Sequence, residues 1–94
     1  MALFVFCGLD RPGALGLRKA TREAHLAWVE ALRPSVRIGG PMLGEDGQTP
    51  IGSLLVVEAE TLAEATSIFA SDPYALAGLW AETSVRPFNW LIRH

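Results

Sequence analysis

Cysteine is nearly missing from this chain: Cys7 is the only one among 94 residues. No internal disulfide can form, and a reducing, cytoplasmic setting fits that usage. Basic runs are missing too. Eight Lys and Arg stand against ten Asp and Glu, for a formal net charge of -2. That balance argues against nucleic acid or an anionic membrane surface as a partner. No stretch approaches the roughly 20 apolar residues of a membrane span. The apolar start, Met1 to Leu9, has no basic leader and runs into Asp10 and Arg11. It reads as a first strand, not a signal peptide. Repeats, linkers and low-complexity segments are absent, so residues 1–94 read as one domain.

Chemistry-bearing motifs are equally sparse. The two histidines are His25 and the terminal His94. One internal histidine and scattered carboxylates do not make a metal site, and neither a metal nor a cofactor is expected. The glycines form no phosphate-binding loop. Ser53 lacks a Gly-x-Ser-x-Gly setting and is not read as a nucleophile.

What is abundant is apolar surface. Half the residues are hydrophobic, with mean hydropathy +0.27. A monomer of this size buries only about 60–65% of its unfolded surface. Part of the apolar excess is therefore expected in a subunit contact.

Six main elements can be read in order. Leu3–Leu9 alternates as a strand, with Leu3, Val5, Cys7 and Leu9 on one face and Phe4 and Phe6 on the other. Residues 14–32 have helical periodicity, with Trp28, Val29, Thr21, Arg18 and Arg22 on the same arc as His25. Pro34 stops that helix. A strand over 35–43 is expected to be interrupted at Gly39-Gly40-Pro41, and Asp46-Gly47 centres a turn. Ile51–Ala59 is a third strand. Thr61 and Glu64 form a capping box for a helix to Ser71 that buries Leu62, Ala65, Ile68 and Phe69. Asp72 caps a short helical piece opened by Pro73. A last strand over 83–92 contains Pro87, which favours an edge. The order β-α-β-β-α-β is that of a ferredoxin-like α+β fold: a four-stranded antiparallel sheet with both helices on one face. The first, third and last strands are apolar on both faces, so a second copy is expected to pack sheet to sheet.

Within that fold His25 and Asp72 are the candidate catalytic pair. A carboxylate beside a histidine fixes its tautomer, as general-base work requires. Each has a plain alternative: a satisfied core histidine, and a helix cap. Arg18 and Arg22 suggest an anionic visitor, or else extend to the rim to pair with glutamates. Gly39 and Gly40 either offer N–H groups to a developing oxyanion or mark a bulge. Ser53 either bonds a ligand or its own backbone. Tyr74 can anchor the Asp72-Pro73 segment beside the site. With Arg22, Gly39, Gly40 and Ser53 it completes the candidate ligand contacts.

Taken together, several of these segments resemble the YciI-like (YCII-related) family. The resemblance rests on Arg22-x-x-His25-Leu26, Gly40-Pro41, residues 52–59 (Gly-Ser-Leu-Leu-Val-Val-Glu-Ala), Ala65, Asp72-Pro73-Tyr74 with Ala77-Gly78-Leu79, and Val85-Arg86-Pro87-Phe88. It covers nearly the whole chain. It implies a dimeric α+β barrel and a pocket where a histidine and an aspartate pair, here His25 and Asp72. It further implies kinship with a dehydrochlorinase of chlorinated hydroxyquinols, muconolactone isomerase-like enzymes and small monooxygenases. The expectation is a homodimeric enzyme acting by general acid–base chemistry on a small organic acid, lactone or phenol, by elimination or isomerisation. The alternative is a non-catalytic module binding a metabolite or a protein.

Overall fold

The computed structural model describes residues 2–94; Met1, the first residue of the apolar start, lies outside them. Strand β1 (Ala2–Asp10) leads into helix α1 (Leu15–Ala31), then β2 (Val36–Leu43) and β3 (Pro50–Ala59). Helix α2 (Leu62–Ala70), a single turn α3 (Pro73–Leu76) and β4 (Trp80–Phe88) complete the chain. The strands form one antiparallel sheet in the order β2-β3-β1-β4. This is the ferredoxin-like arrangement expected from the element order.

Period-2 alternation sets the two faces of the sheet. Phe4 and Phe6 of β1 stand opposite Val57 and Leu55 of β3. With Ala59, Ala65 and Phe69 they make the core under the helices, and Phe6 stacks on Phe69 at 4.9 Å. Trp28, Trp80 and Val85 close its margins. Gly8 is required here, because a Cβ would stand 2.8 Å from the Phe6 ring and 2.9 Å from Trp80.

Several local expectations need revision. Strand β2 is not interrupted at Gly39-Gly40-Pro41. Gly39, Gly40 and Pro41 pair in unbroken register with Leu55, Leu54 and Ser53, and the irregularities fall at Val36/Ile38 and Met42/Leu43. An edge strand tolerates this proline because only one of its sides is paired. Leu62 is 45% exposed, since it sits in the first turn of α2, beyond the part that reaches the sheet. Strand β4 starts at Trp80 and ends at Phe88, earlier at both ends than expected. As Pro87 suggests, β4 is an edge. Cys7 is half-buried, facing away from the helices. Among the described residues no helix is long and apolar enough to cross a membrane.

Candidate active site

Helix α1 is unusual in what it buries. Its two deeply buried side chains are Arg18 and His25, seven residues apart on one face. Around them a cleft of about 700 Å³ opens between α1 and β2, with Ser53 and Leu55 of β3 and Tyr74 of α3 at its base.

His25 is met by Asp72. Helix α2 ends at Ala70 with Ser71 as its C-cap, and Asp72 then turns extended, with φ -60° and ψ 129°. Pro73 occupies the first position of α3, where its fixed φ suits the helix and its missing N–H costs nothing. The Asp72 carboxylate therefore serves two donors through one oxygen. The Tyr74 backbone N–H donates to Oδ1 at 2.9 Å, and His25 Nδ1 lies 2.8 Å from the same atom. Asp72 is 1% exposed, and its Oδ2 is buried with no hydrogen-bond partner. With Asp72 ionised, Oδ1 can only accept, so Nδ1 carries the hydrogen and, in the neutral imidazole, Nε2 holds the lone pair. Nε2 has no partner among the described residues and is not a sealed atom. It is the nitrogen able to exchange a proton with something in the cleft.

A second link runs beside the first. Trp28, one turn beyond His25, donates its indole N–H to Ser71 Oγ at 2.9 Å, and Ser71 Oγ donates to the Ile68 carbonyl. Neighbouring residues of α1 thus hold neighbouring residues of the α2–α3 junction. The Tyr74 ring stacks on His25 with centroids 4.2 Å apart, and Trp80 meets Tyr74 edge-on at 5.7 Å. Burial, the dominant cause, raises the Tyr74 phenol above its ordinary pKa of 10.0; the Asp72 charge adds to this, and Arg18 opposes it.

Arg18 forms the other polar centre. Its Nε and Nη2 bond both oxygens of Asp10, at 2.7 and 2.8 Å, and Nη2 also donates to Ser53 Oγ at 2.9 Å. Its guanidinium carbon lies 4.8 Å from the Tyr74 ring centroid. Burial is the largest single influence and works against the charge, but the bonded Asp10 carboxylate, helped by Tyr74, outweighs it, so the guanidinium is held above its ordinary pKa.

The structure thus brings His25, Asp72, Tyr74 and Ser53 around one cleft, with Arg22 exposed along its α1 wall. Ser53 is engaged by Arg18 and not by its own backbone. Gly39 and Gly40 also line the cleft, but not as a pair of converging amides. They are consecutive residues of a regular antiparallel strand, whose successive N–H groups point to opposite edges. Arg18, with its partner Asp10, was missed as a site-organising residue. The available signal was a strong one: a charged side chain two turns from His25 on its own buried face. No group of three or more His, Cys, Asp or Glu able to hold a metal occurs among the described residues.

Comparison with known proteins places this geometry among relatives. The model of the YCII-related domain matches residues 2–89. Protein YciI of Escherichia coli O6:H1 is 34% identical over 94 aligned residues, covering 93% of this chain and 96% of its own. Among solved structures, the 5-chloro-2-hydroxyhydroquinone dehydrochlorinase of Burkholderia phenoliruptrix AC1100, in complex with 2,5-dihydroxybenzoquinone, superposes with a TM-score of 0.84. It is 40% identical, over 93% of each chain. An antibiotic biosynthesis monooxygenase superposes at 0.58 with 9% identity, over 98% of this chain and 100% of its own, which is a likeness of fold alone.

Proposed function

The chain belongs to the YCII-related domain family, and from that premise we propose that it is a small-molecule enzyme working by general acid–base chemistry. In this reading His25 Nε2 takes a proton from a phenolic, enolic or activated C–H group of a ligand in the cleft. The released electron pair forms a new π bond, and a leaving group departs as an anion. In an isomerisation the proton instead returns to another carbon. Asp72 holds the imidazole in the tautomer that leaves Nε2 free, and faces the positive charge that forms on the ring. Tyr74 fixes the ring plane from its stacked face. Arg22 stands one turn before His25 to steady negative charge on the ligand.

One observation carries this reading: a histidine bonded to a buried carboxylate at 2.8 Å, with its other nitrogen unsealed beside a cleft of about 700 Å³. The likeness to a dehydrochlorinase at 40% identity supports elimination from a halogenated or hydroxylated ring as the first reaction to try. In the same reading the protein is a cytoplasmic homodimer paired through the open face of the sheet, its ligand is a small molecule, and nucleic acid and membrane are not its partners.

The test is a panel of halogenated hydroquinols, phenols and small lactones offered to wild type and to His25→Ala. A substrate turned over by wild type should lose about 100- to 10,000-fold in kcat in the variant, the usual worth of a positioned acid–base group. Turnover unaffected by the substitution would remove His25 from the chemistry.

A further inference from the structure

The charge of this protein is unevenly placed. It is acidic overall, with ten carboxylate side chains against eight cationic ones. Yet five of those eight cations line the one cleft: Arg18, Lys19, Arg22, Arg33 and Arg37. None of the ten acidic residues lines it. Three of the five are answered locally. Arg18 is held by Asp10, Arg33 by Glu30 at 2.9 Å, and Arg37 by Glu58. Lys19 and Arg22 have no ion-pair partner among the described residues.

Those two are not placed at random. Lys19, Arg22 and His25 follow at three-residue intervals, and all three line the cleft. Each step turns about 60° round the helix, so Arg22 flanks His25 while Lys19, which periodicity alone sets away from the His25 face, borders the cleft as an exposed side chain at its rim. At 1.5 Å of rise per residue, Arg22 precedes His25 by about 4.5 Å along the helix axis and Lys19 by about 9 Å. The opposite wall is β2. Gly39 has no side chain to stand in the cleft, and a Cβ there would lie 2.7 Å from Leu55 Cδ2, so a larger residue would have to displace the Leu55 side chain. Leu26, Val29 and Val36 add apolar surface. The space therefore lies between a helix and a strand that carries no side chain at Gly39 and Gly40. It has unanswered positive charge at one end and the imidazole one helical turn further on.

We propose that the ligand class of this cleft is the small planar anion: an arene carboxylate, or a ring whose hydroxyl is acidified by conjugation. Its charge is held by Lys19 and Arg22, and its flat apolar body lies between α1 and β2. Its reacting position is thereby set against His25. The proposal builds on the acid–base reading of His25, but it concerns binding and stands or falls separately. Lys19 and Arg22 act as substrate-positioning cations, and a protein with a net charge of -2 draws an anion to this one place.

The test uses two shape-matched pairs of probes, benzoate with benzamide and salicylate with salicylamide. Binding is measured by calorimetry on the 94-residue chain. The anions should bind at least about tenfold more tightly than their neutral amides at low salt, as a charge-assisted contact provides. That advantage should shrink as salt screens it. Lys19→Gln with Arg22→Gln should erase the preference, whereas Arg11→Gln with Arg93→Gln, which removes the same two charges outside the cleft, should leave it intact. Both cleft positions are exposed, so the double variant should fold, and a melting curve matching wild type verifies this. His25→Ala should keep the anion preference. Equal affinity for acids and amides, or a preference that survives the double substitution, overturns the proposal and leaves the acid–base reading in place. Anion preference combined with turnover indifferent to His25→Ala has the opposite meaning: the cleft binds anions, and the catalytic reading fails.

Discussion

Asp72 has two structural partners, and one substitution can separate what it does for each. Its Oδ1 caps α3 at the Tyr74 N–H and also faces His25 Nδ1. Asparagine caps helices about as well as aspartate. It cannot place a negative charge beside the imidazole, and its amide can present a donor where a carboxylate only accepts. Asp72→Asn should therefore keep the fold, with a melting temperature close to wild type. On any substrate found for the protein it should lower kcat by about 100-fold or more, within the range for a lost acid–base function. A drop in stability with kcat intact would reduce Asp72 to a cap. Both roles could be named from the sequence, because Asp-Pro after a helix is a capping pattern whatever its function. Its meeting with a histidine 47 residues away could not be derived from spacing; in the sequence it is a bare expectation about the fold, which the family resemblance also implies. Arg18 shows the opposite failure. Its place on the inward arc was visible, but nothing local showed that Asp10 would neutralise it and make it safe to bury. A buried ion pair is costly to halve, so removing Asp10 should cost about 3–5 kcal/mol.

At the scale of elements, periodicity identified every strand and both long helices, while tertiary pairing decided where they stop. The glycines and proline of β2 suggested a break because they weaken a strand in isolation. Pairing with the long, regular β3 overrides that preference on an edge. The turn between these strands can be tested directly. Asp46 Oδ1 accepts from the N–H groups of Gln48 and Thr49, each at 2.9 Å, and Oδ2 accepts from the Thr49 hydroxyl at 2.6 Å. The Thr49 hydroxyl is the main reason that the carboxyl falls from its ordinary 3.8 to about 2, with the backbone donors adding to it. The folded state thus favours the ionised form. That contribution is present above pH 3.8 and is lost as pH falls through about 2. Side-chain NMR should find the Asp46 midpoint near 2. Any melting-temperature gap between wild type and Asp46→Asn should narrow across the same interval; a gap that stays constant would contradict the linkage.

For the whole molecule, the unresolved matter is the sheet face that no helix covers. An antiparallel sheet of this kind ordinarily carries polar side chains on its wet side. Here Leu3, Val5, Cys7 and Leu9 of β1 share that side with Leu54 and Val56 of β3, Ile38 of β2 and Phe88 of β4. Leu9, Ile38 and Phe88 remain more than a third exposed, whereas Val56 is already buried, and Glu58, Ser84 and Arg86 are polar residues on the same side. A 94-residue chain has little core to spare, so leaving such a face in water would forfeit stabilisation it needs. A two-fold contact between identical faces would cover it with no further sequence, because the same patch would serve both copies. Val5 lies near the middle, between Val56 and Arg86, so Val5→Lys would put a second positive charge beside Arg86 in the centre of that contact. Sedimentation equilibrium at micromolar concentration should give wild type twice the 10.2 kDa chain mass. The variant should shift to single chains with a lower melting temperature. If wild type itself sediments as a single chain, the apolar face has some other cover and the sheet-to-sheet dimer is wrong. If Val5→Lys stays dimeric, the contact lies elsewhere on the molecule.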